Sequence, residues 1–322
     1  MHKNKLIVGL SILLVFILVI YINPLENEKN VDNEVIHTIK VPYGFSGDLK
    51  YKDYSEVEEE IHQFDHVTEI GKDESGNYDM HMIELGNREK PSILITAGMH
   101  GSEWQGTLYS LQFMEDLRDG TFPDEEFRER LLSEYHIIYI PVVNPYGFDR
   151  AIPYQLNSGR YNSNGEDLNR DFYNFTQAES QNVKVVMDIF KPFAYLDIHM
   201  MQSQYSANGG NNIVLGNGQK QTDKYFDYIA ESIRSYADQP LTKWGAPAYE
   251  NPINPGLSRT YMRNQTNPYT PYTLSYIFEL AKQVDRDTGF DAPLSDQQII
   301  DYGMAGLYLF LYTSAMYFED EN

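Results

Sequence analysis

The 322-residue chain contains no cysteine. That absence excludes disulfides, thiolate metal sites, a cysteine nucleophile and a lipid-modified cysteine, so any bound metal must sit on histidine and carboxylate. Basic residues are also scarce: 25 Lys and Arg stand against 47 Asp and Glu, a formal charge of -22. Such a surface repels a phosphate backbone, and no nucleic acid is expected as a partner. No glycine-rich phosphate loop of dinucleotide or nucleotide-triphosphate spacing is present, so no nucleotide is expected either. There is no internal repeat. A Gly-x-Ser-x-Gly elbow is missing too, since Gly256-Leu257-Ser258-Arg259-Thr260 fails at its final position, and this removes a serine esterase of the α/β-hydrolase type.

What is present begins with one apolar run. Lys3 and Lys5 precede seventeen mostly apolar residues, Leu6 to Ile22, with Tyr21 at interfacial position. About 17 to 25 residues are needed to cross a bilayer, so residues 1–22 read as an N-terminal transmembrane helix and membrane anchor. The alternative is a cleaved signal peptide and a secreted protein, but the Asn23-Pro24-Leu25-Glu26 that follows has no small-x-small cleavage site. Lysines ahead of the run and acids behind it place the N-terminus in the cytoplasm and the rest of the chain outside the cell membrane. Residues 23–42 are polar and acidic without a period and read as a stalk.

The remainder, 43–322, has the composition of one folded domain: 42% of the whole chain is hydrophobic. A helix is predicted over Tyr54 to Phe64, then strands near Val67 to Gly71 and Met80 to Leu85. Apolar strand runs follow at Ser92 to Ala97, Ile137 to Val143, Phe193 to Ile198 and Leu274 to Phe278. Helical patterns run through Leu108 to Leu117, Gln177 to Phe190 and Ser295 to Tyr312. Strands alternating with helices predict an α/β fold, a single domain with a central mixed, largely parallel β-sheet flanked by helices. Such sheets carry their sites beyond strand ends.

A histidine and a glutamate three residues apart share a side only where the backbone curls like a helical turn. Three such pairs occur: His66 with Glu69, His81 with Glu84, and His100 with Glu103. The first two lie in period-2 strand patterns, which point the partners apart. The third sits in Ala97-Gly98-Met99-His100-Gly101-Ser102-Glu103, where an apolar strand ends and a helix begins. Read alone, it is equally well a turn histidine and a glutamate complementing the helix dipole. A hydrolytic zinc needs a third protein ligand and one open position. His199, at the end of the run Phe193 to Ile198, supplies that candidate.

Over roughly Tyr51 to Tyr312 the ordered motifs HGSEW, NPYGF, RYNSNGEDLNRDF, LDIHMMQSQ and FEL resemble the zinc carboxypeptidase family. The resemblance implies one Zn2+ held by His100, Glu103 and His199, with Glu279 as catalytic carboxylate. A carboxylate beside such a metal takes a proton from the attacking water and returns it to the leaving amine. It further implies that Arg160 stabilises the oxyanion and that Asn169 and Arg170 grip a substrate carboxylate, a task suited to an arginine fork. Asp167 would orient a zinc histidine. Tyr261 is the candidate for the family's mobile substrate-binding tyrosine, with Tyr269 and Tyr272 as competitors. Where animal digestive members carry an arginine between the first histidine and the glutamate, this chain has Ser102.

The implied function is a zinc metallocarboxypeptidase that cuts an amide next to a free carboxylate, in peptides or in peptidoglycan stem peptides. Two other functions stay open: a catalytically inactive cell-surface peptide-binding domain, and a zinc-dependent deacylase of small N-acyl substrates.

Overall fold

The computed structural model describes residues 38–155, 157–202, 211–217, 219–244, 255–286 and 289–322. The anchor expected at 1–22, and the stalk up to residue 37, lie outside the described residues. Among the described residues no helix is long and apolar enough to cross a membrane.

Helix α1 (Tyr54–Ile61) begins at a capping box in which Asp53 accepts from the Glu56 amide and Glu56 returns the bond. Strands β1 (Val67–Lys72) and β2 (Asp79–Gly86) lie where two strands were predicted and pair antiparallel, and β3 (Ser92–Thr96) follows. A 3-10 turn at Gly101–Glu103 runs straight into α2 (Trp104–Asp119), and α3 (Glu125–Glu134) precedes β4 (His136–Ile140). After the short helix α4 (Pro145–Asp149) and a long loop come α5 (Ala178–Phe190) and β5 (Ala194–Gln202). The last third holds β6 (Ile213–Asn217), α6 (Asp223–Ala237), β7 (Leu241–Trp244), α7 (Ser258–Arg263) and β8 (Leu274–Lys282). A small ladder of β9 (Val284–Arg286) and β10 (Gly289–Asp291) leads to the long helix α8 (Asp296–Glu321).

Eight strands make one mixed sheet in the order β1-β2-β4-β3-β5-β8-β6-β7. The ladders β3/β4, β3/β5, β5/β8 and β6/β7 are parallel; β1/β2, β2/β4 and β6/β8 are antiparallel. Alternation along the strands divides the core between the two faces. Ile93, Ile95, Ile137, Tyr139, Leu196 and Ile198 join one cluster with side chains of α2, α6 and α8. Leu94, Ile138, Ile140 and Tyr195 point the other way, to Val183, Val186 and Met187 of α5 and Met262 of α7. The predicted architecture of a mixed sheet between helical layers is therefore the observed one.

Two boundaries differ in a way that matters. β5 and β8 both run four residues past the predicted ends, so His199 and Glu279 sit within strands rather than after them. Helix α8 also continues nine residues beyond the predicted Tyr312, its buried face extending to Tyr317.

Candidate active site

The turn carrying His100 and Glu103 is built by close backbone approach. Gly98 has a left-handed φ of +61°, and a Cβ there would come within 3.0 Å of Val142 Cα. At Gly101 a Cβ would lie 2.1 Å from the carbonyl carbon of Gly147, so the His100 turn rests directly on α4. Asn144 shapes that helix start: its Oδ1 accepts from Gly147 N at 2.9 Å, while its Nδ2 donates to the Arg160 carbonyl at 3.3 Å. The NPYG motif thus braces both the His100 turn and the loop bearing Arg160.

That loop is locked by buried polar side chains. Asn162 Oδ1 accepts from the amides of Asn164 and Glu166 (3.1 and 3.0 Å), and its Nδ2 donates to Gln177 Oε1 at 2.9 Å. Asp171 accepts from Thr176 N, Gln177 N and Ser180 Oγ at 3.0, 2.9 and 2.5 Å. The polar residues of RYNSNGEDLNRDF therefore fix a loop that has almost no regular structure.

Three predicted residues converge. Glu103 Oε1 lies 2.9 Å from His100 Nδ1, and Glu103 Oε2 lies 3.0 Å from His199 Nδ1. All three side chains are buried, and their ligand-type atoms lie within 4.8 Å of one another. The remaining ring nitrogens face acids: His100 Nε2 is 3.0 Å from Asp167 Oδ1, and His199 Nε2 is 2.9 Å from Asp197 Oδ2. A ring that donates its Nε2 proton to a carboxylate keeps its Nδ1 lone pair free. Two such lone pairs and one carboxylate are a donor set that fits zinc.

Electrostatics follow from this packing. Burial alone would raise the Glu103 carboxyl, but His100 and His199 outweigh it and hold it well below the usual carboxylate range. Burial likewise lowers His199, yet Asp197 and Glu103 reverse the direction and raise it well above an ordinary histidine. Asp167 shows the same contest, with His100 and Arg160 overcoming desolvation and pulling its carboxyl down.

Glu279 pairs in register with His199 across the parallel β5/β8 ladder, so both side chains leave the same sheet face. Desolvation pushes its carboxyl up, opposed by His199 and reinforced by Glu103. Arg160 donates from Nη2 to Asp167 Oδ2 at 2.8 Å and places Nη1 3.7 Å from Glu103 Oε1. Asn169 lies between the layers, with Nδ2 3.1 Å from His199 Nε2 and Oδ1 accepting from Ser258 N at 3.0 Å. Arg170 is exposed and donates from Nη1 to the Asn169 carbonyl at 2.6 Å. His100, Glu103, His199, Glu279, Arg160, Asn169 and Arg170 all line one cavity of about 500 Å³.

Tyr261 stands apart from these residues. It does not line this cavity: its hydroxyl donates to Asp188 Oδ1 at 3.0 Å and its ring packs edge-on against Phe175, 4.9 Å between centroids. The reason is helical phase. Positions 259 and 261 lie about 200° apart on α7, and Arg259 takes the cavity side. Tyr269 packs toward Phe318, and neither it nor Tyr272 reaches the cavity wall.

The decoy pairs also separate. Glu84 is held by His136, at 2.9 Å, and by Arg88 rather than by His81. Glu69 stands opposite His81 in the β1/β2 register. His81 instead joins His62 and Glu58 in a second, partly exposed group of ligand-type side chains.

Four residues of the site were not anticipated from the sequence. Asp197 is two residues before His199 on the same strand face, a signal available in LDIH. Arg259 and Trp244 line the cavity without a motif to mark them. Lys282, on β8, is buried and donates to Ser102 Oγ at 3.3 Å. A cation thus reaches from another strand to Ser102.

Comparison with known proteins agrees with this geometry. A family model described as zinc carboxypeptidase matches residues 51–296. Carboxypeptidase E of Caenorhabditis elegans is 39% identical over 88 residues, covering 26% of this chain and 19% of that protein. The human carboxypeptidase N catalytic chain is 30% identical over 133 residues, covering 36% and 28%. The matched segments therefore span under a third of these relatives. Among solved structures, a metallo-carboxypeptidase from Burkholderia cenocepacia superposes with a TM-score of 0.59 at 16% identity, over 82% of this chain and 68% of that one. Bovine thrombin-activatable fibrinolysis inhibitor superposes with a TM-score of 0.62 at 15% identity, over 83% and 98%. Those superpositions establish a shared fold, and the family match, which covers most of the residues from Tyr51 onward, establishes the rest: the chain belongs to the zinc carboxypeptidase family.

Proposed function

We propose that this protein is a zinc metallocarboxypeptidase that hydrolyses the amide preceding a free terminal carboxylate in peptides, stem peptides of the cell wall included. The observation that carries the proposal is the convergence of His100 Nδ1, Glu103 and His199 Nδ1, with Glu279 in register beside His199. His100, Glu103 and His199 would hold one zinc, whose Lewis acidity would polarise the scissile carbonyl and acidify the attacking water.

The chain's own groups perform the remaining tasks. Glu279, kept basic by desolvation, takes a proton from water and delivers it to the departing amine. Arg160, braced by Asp167, faces the negative charge that develops on the carbonyl oxygen. Arg170, anchored to the Asn169 carbonyl, presents a fork to the terminal carboxylate, and the Asn169 amide lies beside it. Asp197 and Asp167 keep both imidazoles in the tautomer that faces Glu103. The apolar run Leu6 to Ile22, behind Lys3 and Lys5, supports a domain anchored on the outer side of the cell membrane.

The test is mass-spectrometric product analysis of the purified protein on peptides and wall stem peptides, each with a free and an amidated terminus. Loss of single residues from free termini only is the expected result, and Arg170→Ala is expected to depress turnover of those substrates selectively. Internal cleavage, or equal cleavage of amidated termini, would overturn the proposal.

A further inference from the structure

Arg259 is a buried cation with no salt bridge among the described residues, and the acids whose charge it feels, Glu279 and Asp197, do not hydrogen-bond it. It is 9% exposed, and its Nε and Nη1 have no hydrogen-bond partner among the described residues. The nearest acids are committed elsewhere. Asp197 accepts from Thr96 Oγ1 at 2.9 Å and from Ser258 Oγ, and its Oδ2 lies 2.9 Å from His199 Nε2, while Glu279 is the proposed base. An enclosed guanidinium left in this condition is costly, and native proteins retain such groups where something else completes them.

Its surroundings define what that could be. The side chain lies across Gly216 of β6, where a Cβ would stand 1.9 Å from Nη1; any other residue there would expel the guanidinium. Gly216 pairs with Ile277, two residues before Glu279, so the slot opens beside the proposed base. Trp244 faces Arg259 with its ring centroid 5.8 Å from Cζ, and Leu257 and Ile277 complete apolar walls. Arg170 lines the same cavity and is already assigned to the terminal carboxylate. Apolar neighbours around a buried cation suit an aliphatic stem that ends in an anion.

We propose that Arg259 receives the side-chain carboxylate of the residue that is cut off. The favoured substrates then carry two carboxylates on that residue, as in a terminal glutamate or in a diamino dicarboxylic acid of a stem peptide. This rests on the carboxypeptidase function proposed above and adds the class of residue removed.

The test compares kcat/KM of the purified, zinc-loaded full-length chain on peptides that differ only in the last residue: Glu, Gln, Leu or diaminopimelate. Glutamate is expected to exceed glutamine by about 10- to 100-fold, the scale of a hydrogen-bonded charge pair, and Arg259→Gln is expected to erase that ratio. The ratio of Glu to diaminopimelate identifies which source of the second carboxylate the slot fits. Wild-type turnover of Gln or Leu peptides equal to that of Glu would overturn the proposal, as would an Arg259→Gln variant that lowers Glu and Gln peptides alike. Calorimetric binding of free glutamate and glutamine is a second readout that needs no turnover. If no peptide is cut, the carboxypeptidase function fails by itself. Arg259-dependent preference for glutamate in binding would still support the slot, and equal binding of the two amino acids would overturn it.

Discussion

Asp197→Asn tests the site at the point where the structure adds most to the sequence. Three donors aim at the two oxygens of this fully buried carboxylate: the His199 ring at 2.9 Å, the Thr96 hydroxyl at 2.9 Å and the Ser258 hydroxyl. Asparagine offers one oxygen and one NH2, so a donor must meet a donor. Thr96 and Ser258 can rotate their hydroxyl protons away, and Thr96 already has the Tyr195 hydroxyl at 2.8 Å. His199 has no such freedom. Whichever way the amide turns, it is neutral, so the ring loses the anion beside Nε2, where the Asn169 NH2 already stands 3.1 Å away.

Without that anion the ring proton is no longer held on Nε2, and on Nδ1, which faces Glu103, it takes one lone pair from the donor set. Loss of a carboxylate that orients a ligating histidine costs about 10- to 100-fold in metal affinity, or roughly 1.4 to 2.8 kcal/mol at 1.4 kcal/mol per tenfold. Asp167→Asn should fall at the lower end, because Asp167 retains 18% side-chain exposure and water can replace part of its role. The assay is zinc affinity by chelator competition, with thermal unfolding of the metal-free proteins as a control for folding. An Asp197→Asn protein that folds normally and binds zinc as tightly as wild type would refute the tautomer argument.

The other predictions concern the turn and the base. Gly101→Ala drives a methyl into the backbone of Gly147 and Phe148, both 2.1 Å away, where no side chain can yield. Overpacking of this kind costs about 1 to 3 kcal/mol, so a lower melting temperature and reduced zinc content are expected, and wild-type values for both would show that the turn is not packed as described. Glu279→Gln should retain zinc while losing about 10²- to 10⁴-fold of turnover; near-full activity would remove Glu279 as the base. Only deprotonated Glu279 can accept a proton, and burial raises its pKa, so kcat/KM should fall with falling pH through a value above the roughly 4.3 of a free glutamate. An acid limb at or below that value would argue against a desolvated base.

The sheet was legible because its strands are short apolar runs bounded by turn residues, and the central ladder β4-β3-β5-β8 comes from the four clearest of them. Strands β6 and β7 were missed: five and four residues, the latter Leu-Thr-Lys-Trp, carry too little period to register. Helix α6 was missed although its apolar positions 225, 226, 229, 230 and 233 are buried at helical spacing. The His100–Glu103 pair was legible from context, since one curled turn puts both on a side. The pairing of His199 with Glu279 was not, because it depends on the β5/β8 register, and register is a long-range property. The position of Tyr261 was hidden for a related reason: in a stretch rich in tyrosine, only helical phase decides which residue faces the cavity, and here that residue is Arg259.

Charge distribution links these particulars. The chain has a formal charge of -22, yet four of its cations, Arg160, Arg170, Arg259 and Lys282, line a cavity whose lining carboxylates are Glu103 and Glu279. A zinc ion on the donor set would make the interior more positive still. At physiological salt the exterior field decays over roughly 8 Å, whereas charges in an enclosed cavity are screened far less. The acidic surface therefore does not steer anionic substrates inward, and their selection must occur inside. Two arginines with separate neighbours, Arg170 on the Asn169 carbonyl and Arg259 across Gly216, provide for two carboxylates rather than one. On that division of labour, loss of Arg170 should harm every substrate with a free terminus, while loss of Arg259 should alter the choice among them.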